Sequence, residues 1–114
     1  MKPPATVKVG ARVYTVTVDR AAIDAASVRE QLDLAGHVDH ATHAITLAPD
    51  LSEGHTREAL LHELLHVIVD ATGMGDGRGP LTPASREEQV VQALGAGLLA
   101  VLRDNPRLLT YLTG

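Results

Sequence analysis

The segment LLHELLHVI, Leu60 to Ile68, constrains the fold of this chain more than any other. It lies within TREALLHELLHVIVDAT, residues 56–72, a helical pattern with no interior glycine or proline that stops at Gly73. A helix so rich in leucine, isoleucine and valine is built for burial, and a buried polar side chain is costly unless it finds a partner. His62, Glu63 and His66 stand in its middle, surrounded by Ala59, Leu60, Leu61, Leu64, Leu65, Val67, Ile68 and Val69. There is little solvated face on which to place them. Something must satisfy them, and a metal ion is the leading candidate.

The spacing supports that candidate. His62 and His66 are four apart, so on a helix they sit one turn apart on one face. Both imidazoles can then reach a single ion at about 2.0–2.1 Å from each nitrogen. Glu63 is turned about 100° from His62, too far to serve easily as a third ligand but well placed to hydrogen-bond a water on the ion's open position. This is the H-E-x-x-H arrangement of two ligands and a general base. A catalytic zinc site needs a third protein ligand. With no cysteine in the chain, that ligand must be His, Asp or Glu. Glu87 and Glu88 open the next helix. A helical wheel does not choose between them: Glu87 is nearer the centre of that helix's apolar stripe, and Glu88 is at its edge beside Val91 and Gly95. As first-turn carboxylates, both are also favoured by the helix dipole without any metal.

The rest of the 114 residues reads as one α+β domain, 1–114, with a small sheet in the first half and helices in the second. ATVKV and VYTVTV flank Gly10 as a hairpin, about residues 5–9 and 12–18. Ala21 to Gly36 reads as a helix with a glycine stop. HVDHATHAITLA reads as a second strand pair, about 36–40 and 43–48, turning at His40-Ala41-Thr42. Gly73 to Ser85, with four glycines and two prolines, can only be a loop. A helix over 86–103 carries Val90, Val91, Leu94, Leu98, Val101 and Leu102 as its apolar stripe. Asn105-Pro106 breaks it before a last short helix, RLLTYL.

Composition narrows the function. Aromatic residues are 2% of the chain and the formal charge is −4, which offers neither stacking platforms nor a phosphate-binding surface, so nucleic acid is not an expected partner. No apolar run approaches the roughly 18 residues of a membrane span, and MKPPATVKV has no apolar core of a signal peptide. A cytoplasmic protein is expected.

REALLHELLHVI followed by EEQVVQALGAGLLAVLRDNP resembles the small metallopeptidase-like proteins of phages and prophages, distant relatives of the ImmA/IrrE-type metallopeptidases among the gluzincin group of zincins. The likeness covers about Leu51 to Leu109, and more loosely the GARVYTV hairpin and the HAITLAPDLS strand. It implies a zincin-like helical half in which His62, His66 and a glutamate of the following helix bind one zinc ion per chain, with Glu63 as catalytic base. In that family the ligand glutamate is followed at +3 and +6 by core residues, which Glu88, Val91 and Leu94 match, so the resemblance selects Glu88. Gln92 departs from the asparagine or similar residue usual one turn after the ligand. The implied activity is zinc-dependent hydrolysis of a peptide or protein substrate. A zinc-stabilised, non-catalytic adaptor of the same fold is the alternative.

Other polar residues have weaker claims. Glu58 and Asp70 share the ligands' face and are candidates to orient an imidazole through its second nitrogen, or are plain helix-end charges. His37, His40 and His43 resemble a metal cluster by spacing, but in a strand His40 and His43 fall on opposite faces, which favours an exposed hairpin. His55 reads as a surface residue. Tyr14, Tyr111, Arg86 or a hairpin histidine are open choices for an oxyanion donor, and HAITLA is a candidate rim for an extended peptide.

Overall fold

The first hairpin forms where β-branched residues alternate: β1 (Thr6–Val9) pairs antiparallel with β2 (Arg12–Val18), Val9 opposite Arg12. The tight turn places Gly10 at φ 61, a conformation that costs glycine nothing. The computed structural model describes residues 1–75 and 79–114. On β2 the alternation turns Tyr14 and Val16 inward and leaves Val13, Thr15 and Thr17 exposed. Helix α1 (Arg20–Glu30) begins at Asp19, whose side chain accepts from the Ala22 N–H. It packs on the second strand pair, β3 (Gly36–Asp39) and β4 (Ala44–Leu47), which are antiparallel. β4 also pairs in parallel with β2, Val16 opposite Ile45, so the two hairpins fuse into one mixed sheet of order β1-β2-β4-β3.

Helix α2 (Glu53–Thr72) lies across one face of that sheet. Its buried Ala59, Glu63 and Val67 recur every fourth residue, and Ala59 and Val67 close a core with Tyr14, Val16, Ile45 and Leu47. Helix α3 (Ala84–Asp104) packs on α2 through Val91 and Gly95, where an added methyl group would meet Leu65 at 3.4 Å. Helix α4 (Pro106–Thr113) follows and buries none of its residues.

The α+β layout agrees with the sequence expectation, but four details differ. Helix α1 stops at Glu30, well before Gly36, because Gln31 takes a left-handed conformation (φ 58) and Ser27 captures the N–H groups of Leu32 and Leu34. Gly36 instead begins β3. Helix α2 starts at Glu53 rather than Thr56, because the Ser52 side chain accepts from the His55 N–H. The HAITLA strand is β4, flanked on both sides by partners, so it cannot be a rim for a peptide; the edge beside α2 is β3. Of the stripe expected on α3, Val91 is buried, whereas Leu94, Leu98 and Val101 are exposed. Part of the loop expected over 73–85, residues 76–78, lies outside the described residues. Among the described residues, no helix is long and apolar enough to cross a membrane.

Candidate metal centre

Helical spacing on α2 puts the imidazoles of His62 and His66 side by side, their Nε2 atoms 3.2 Å apart. Helix α3 crosses α2 at this point and brings Glu88 to both: one carboxylate oxygen lies 2.8 Å from His62 Nε2 and the other 2.8 Å from His66 Nε2. The three ligand atoms fall within 4.8 Å of one another, and they are the one such group of histidines and carboxylates among the described residues. Two nitrogens bound tetrahedrally to one ion at about 2.05 Å stand about 3.3 Å apart, so the imidazole pair needs almost no adjustment to accept one. Two imidazoles and a carboxylate with no thiolate form a donor set suited to zinc, and three ligands leave a tetrahedral position open.

The neighbouring glutamate does a different job. Glu87 accepts a hydrogen bond from His66 Nδ1 at 2.5 Å and is largely buried. With Nδ1 held there, the His66 ring turns its Nε2 toward His62 and Glu88, the orientation that a metal ligand would need. Glu87 is therefore more than a first-turn charge favoured by the helix dipole. The carboxylate is also pressed against Gly75, where a Cβ would collide with Glu87 Oε1, so a side chain at that position would dislodge it.

The charge balance is uneven. Burial lowers the His62 pKa, with the Glu88 carboxylate opposing. Burial pulls His66 the same way, but the Glu87 hydrogen bond and the charges of Glu63 and Glu88 outweigh it and raise its pKa. Without a metal, protons on the imidazoles hold the carboxylates.

Glu63 is 7% exposed and hydrogen-bonded to no described residue. Burial pushes its carboxyl from the ordinary 4.5 to about 7, against the opposing charge of His66. It packs under β3, where Gly36 leaves room: a methyl group there would stand 3.2 Å from Glu63 Cγ and 3.3 Å from Oε2. Glu63, His62 and Glu88 line a cleft of about 450 Å³ together with residues 32–36 and with Gln92, Gly95 and Ala96 of α3.

The remaining candidates are dispersed. Asp70 does not orient His66; it is taken by Arg12, at 2.6 Å. Glu58 and the exposed His55 line the cleft, but Glu58 makes no hydrogen bond to His62. Gln92 also lines it without bonding either histidine. The hairpin histidines do not converge: His37 lies 3.5 Å from Glu30, His40 lies 3.9 Å from Asp70, and His43 stacks on Tyr14 at 4.8 Å between ring centroids. None of the three is fully exposed, contrary to the expectation of a solvated hairpin. Tyr14 is wholly buried in the core, Tyr111 is exposed on α4, and neither these nor Arg86 nor a hairpin histidine lines the cleft. Compared with models of protein families, with curated proteins and with solved structures, the chain matches none.

Proposed function

We propose that this chain is a zinc-dependent peptidase of zincin type, with His62, His66 and Glu88 as metal ligands and Glu63 as general base. The observation that carries the proposal is the convergence of three ligand atoms beside a buried, unpaired carboxyl group at the wall of a cleft. When bound, zinc acts as a Lewis acid that lowers the pKa of water and polarises a carbonyl. Glu87 holds the His66 ring in register. Glu63, with a carboxyl pKa brought near neutrality by burial, takes a proton from water in the cleft and returns it to the leaving amine. The free edge of β3, at Gly36 beside Glu63, offers backbone groups to an extended peptide.

A second reading, a zinc-stabilised adaptor without turnover, is favoured by one observation: among the described residues, no tyrosine, arginine or hairpin histidine reaches the cleft to stabilise an oxyanion. Glu63→Gln separates the two, because it keeps shape and volume and removes only the base. With an unbiased peptide library, the zinc-loaded protein should cleave a subset that Glu63→Gln cleaves slower by a factor of about 10² or more, at unchanged zinc content. If the wild type cleaves nothing that the variant spares, the adaptor reading stands.

A further inference from the structure

The cleft beside the candidate metal centre holds one group that calls for a ligand: Glu63 lines it, is only 7% exposed and has no hydrogen-bond partner among the described residues. The acidic and basic residues around it are unbalanced. Asp33, Glu58, Glu63 and Glu88 line the cleft, and no lysine or arginine does. Two of the four are engaged, Glu88 by His62 and His66, and Glu63 as the proposed base. The other two have no counterion. Arg12 is held by Asp70, Arg20 by Asp24 and Asp50, and Arg57 by Glu53, and neither Asp33 nor Glu58 pairs with any described residue.

We propose that Asp33 and Glu58 make this cleft selective for peptides that carry a lysine or arginine side chain close to the bond to be cut; the proposal rests on the peptidase reading and names its substrate class. A cleft lined by one sign of charge between apolar walls focuses the field inward and draws in the opposite charge. Leu32, Leu34, Ala35, Ala59 and Ala96 supply the apolar surface. A long basic side chain matches both features, because its aliphatic stem packs on apolar surface while its head meets a carboxylate. The placement suits a side chain near the reacting bond. Glu58 lies one helical turn before His62, about 6 Å along α2. Each residue of an extended peptide advances about 3.3 Å. A basic residue one or two positions from a carbonyl at the Nε2 atoms therefore comes alongside Glu58. Asp33 enters the cleft from the connection between α1 and β3, three residues before Gly36, which packs on Glu63. A second metal ion is not the cation in question, since His62, His66 and Glu88 form the one cluster among the described residues that could hold an ion, and neither Asp33 nor Glu58 belongs to it.

The test is fluorescence anisotropy with the full chain as purified, carrying Glu63→Gln so that a bound peptide is not cut. The probes are short labelled alanine peptides, blocked at both ends, with lysine, norleucine or glutamate at the centre. At low ionic strength the lysine peptide should bind about tenfold tighter than the norleucine peptide, with the glutamate peptide weakest, and the differences should shrink as salt is raised. Asp33→Asn with Glu58→Gln should abolish the preference; both residues are exposed, so neither substitution disturbs the core. Asp104→Asn, which neutralises an exposed carboxylate at the end of α3 away from the cleft, should leave the preference within about twofold. A norleucine peptide that binds as tightly as the lysine peptide overturns the proposal. So does a preference that survives the paired substitution or falls as far in Asp104→Asn, or binding that appears only when the peptide's amino terminus is left free. The measurement needs neither zinc nor turnover. A lysine preference in a protein that holds no zinc therefore sinks the peptidase reading alone, and zinc-dependent cleavage without the preference sinks this subsite alone.

Discussion

Replacing Glu87 by glutamine tests whether this carboxylate, which touches none of the proposed ligand atoms, sets the strength of the proposed metal centre. Its Oε2 accepts the His66 Nδ1 proton at 2.5 Å, in a site where His66 and Glu87 are both mostly buried. A hydrogen bond to a charged group is worth about 1.5–3 kcal/mol, and a neutral amide recovers only part of that. The glutamine side chain has the same length, so the loss is of charge rather than of packing. Gly75 closes in on the other carboxylate oxygen, which leaves the new amide little freedom to swing to a better angle. Removing a group that orients a ligating histidine lowers metal affinity by about 10–100-fold, the same range that the hydrogen-bond energy gives. Competition against a chromophoric zinc chelator measures it directly. Glu88→Gln should weaken binding still more, because it neutralises the carboxylate whose two oxygens face both Nε2 atoms. If Glu87→Gln binds zinc within about twofold of the wild type, the hydrogen bond to Nδ1 does not tune the site and the reasoning fails.

Two further outcomes follow from the surroundings of Glu63. Gly36→Ala places a methyl group 3.2 Å from Glu63 Cγ and 3.3 Å from Leu47 Cδ2, so the carboxyl must shift by a few tenths of an ångström. Peptide turnover should fall about tenfold at constant zinc content, and equal turnover would show that the position of Glu63 is not critical. In the metal-free protein, Glu63 has a folded pKa of about 7, above the ordinary 4.5, so folding favours its neutral form. Its contribution to stability is therefore complete below about pH 4.5 and drains away as pH rises through 7, by about 3 kcal/mol. Denaturant unfolding of metal-free wild type and Glu63→Gln should diverge by that amount between about pH 4.5 and 7.5; parallel curves would contradict it.

The sequence carried its clearest information where the physics is local. His62, Glu63 and His66 were legible because helical periodicity alone fixes their relative directions. The division of labour between Glu87 and Glu88 was not, because it depends on how α3 crosses α2: residues about 100° apart on one helix reach opposite nitrogens of the same imidazole. The end of α1 is hidden from a local reading for a similar reason. Gly36 looked like a stop signal, while the stop came from Gln31 in a left-handed turn capped by Ser27, which is not a glycine signature. The two hairpins were visible as local alternation, but the parallel pairing of β2 with β4 joins residues about thirty apart and leaves no mark on either strand. That pairing makes β3 the edge strand. Periodicity makes the apolar stripe of α3 legible, because it shows that Leu94 and Leu98 share a face, but it does not show what lies opposite them, and both are exposed.

Metal analysis of the purified protein tests the central claim most directly. Isolated without chelator, or reconstituted with zinc and desalted, the wild type should hold about one zinc ion per chain, and His62→Ala with His66→Ala should hold almost none and unfold at a lower temperature. A wild type that retains no zinc after either treatment would contradict the account, since the convergence of His62, His66 and Glu88 would then be only a network of hydrogen bonds between two helices.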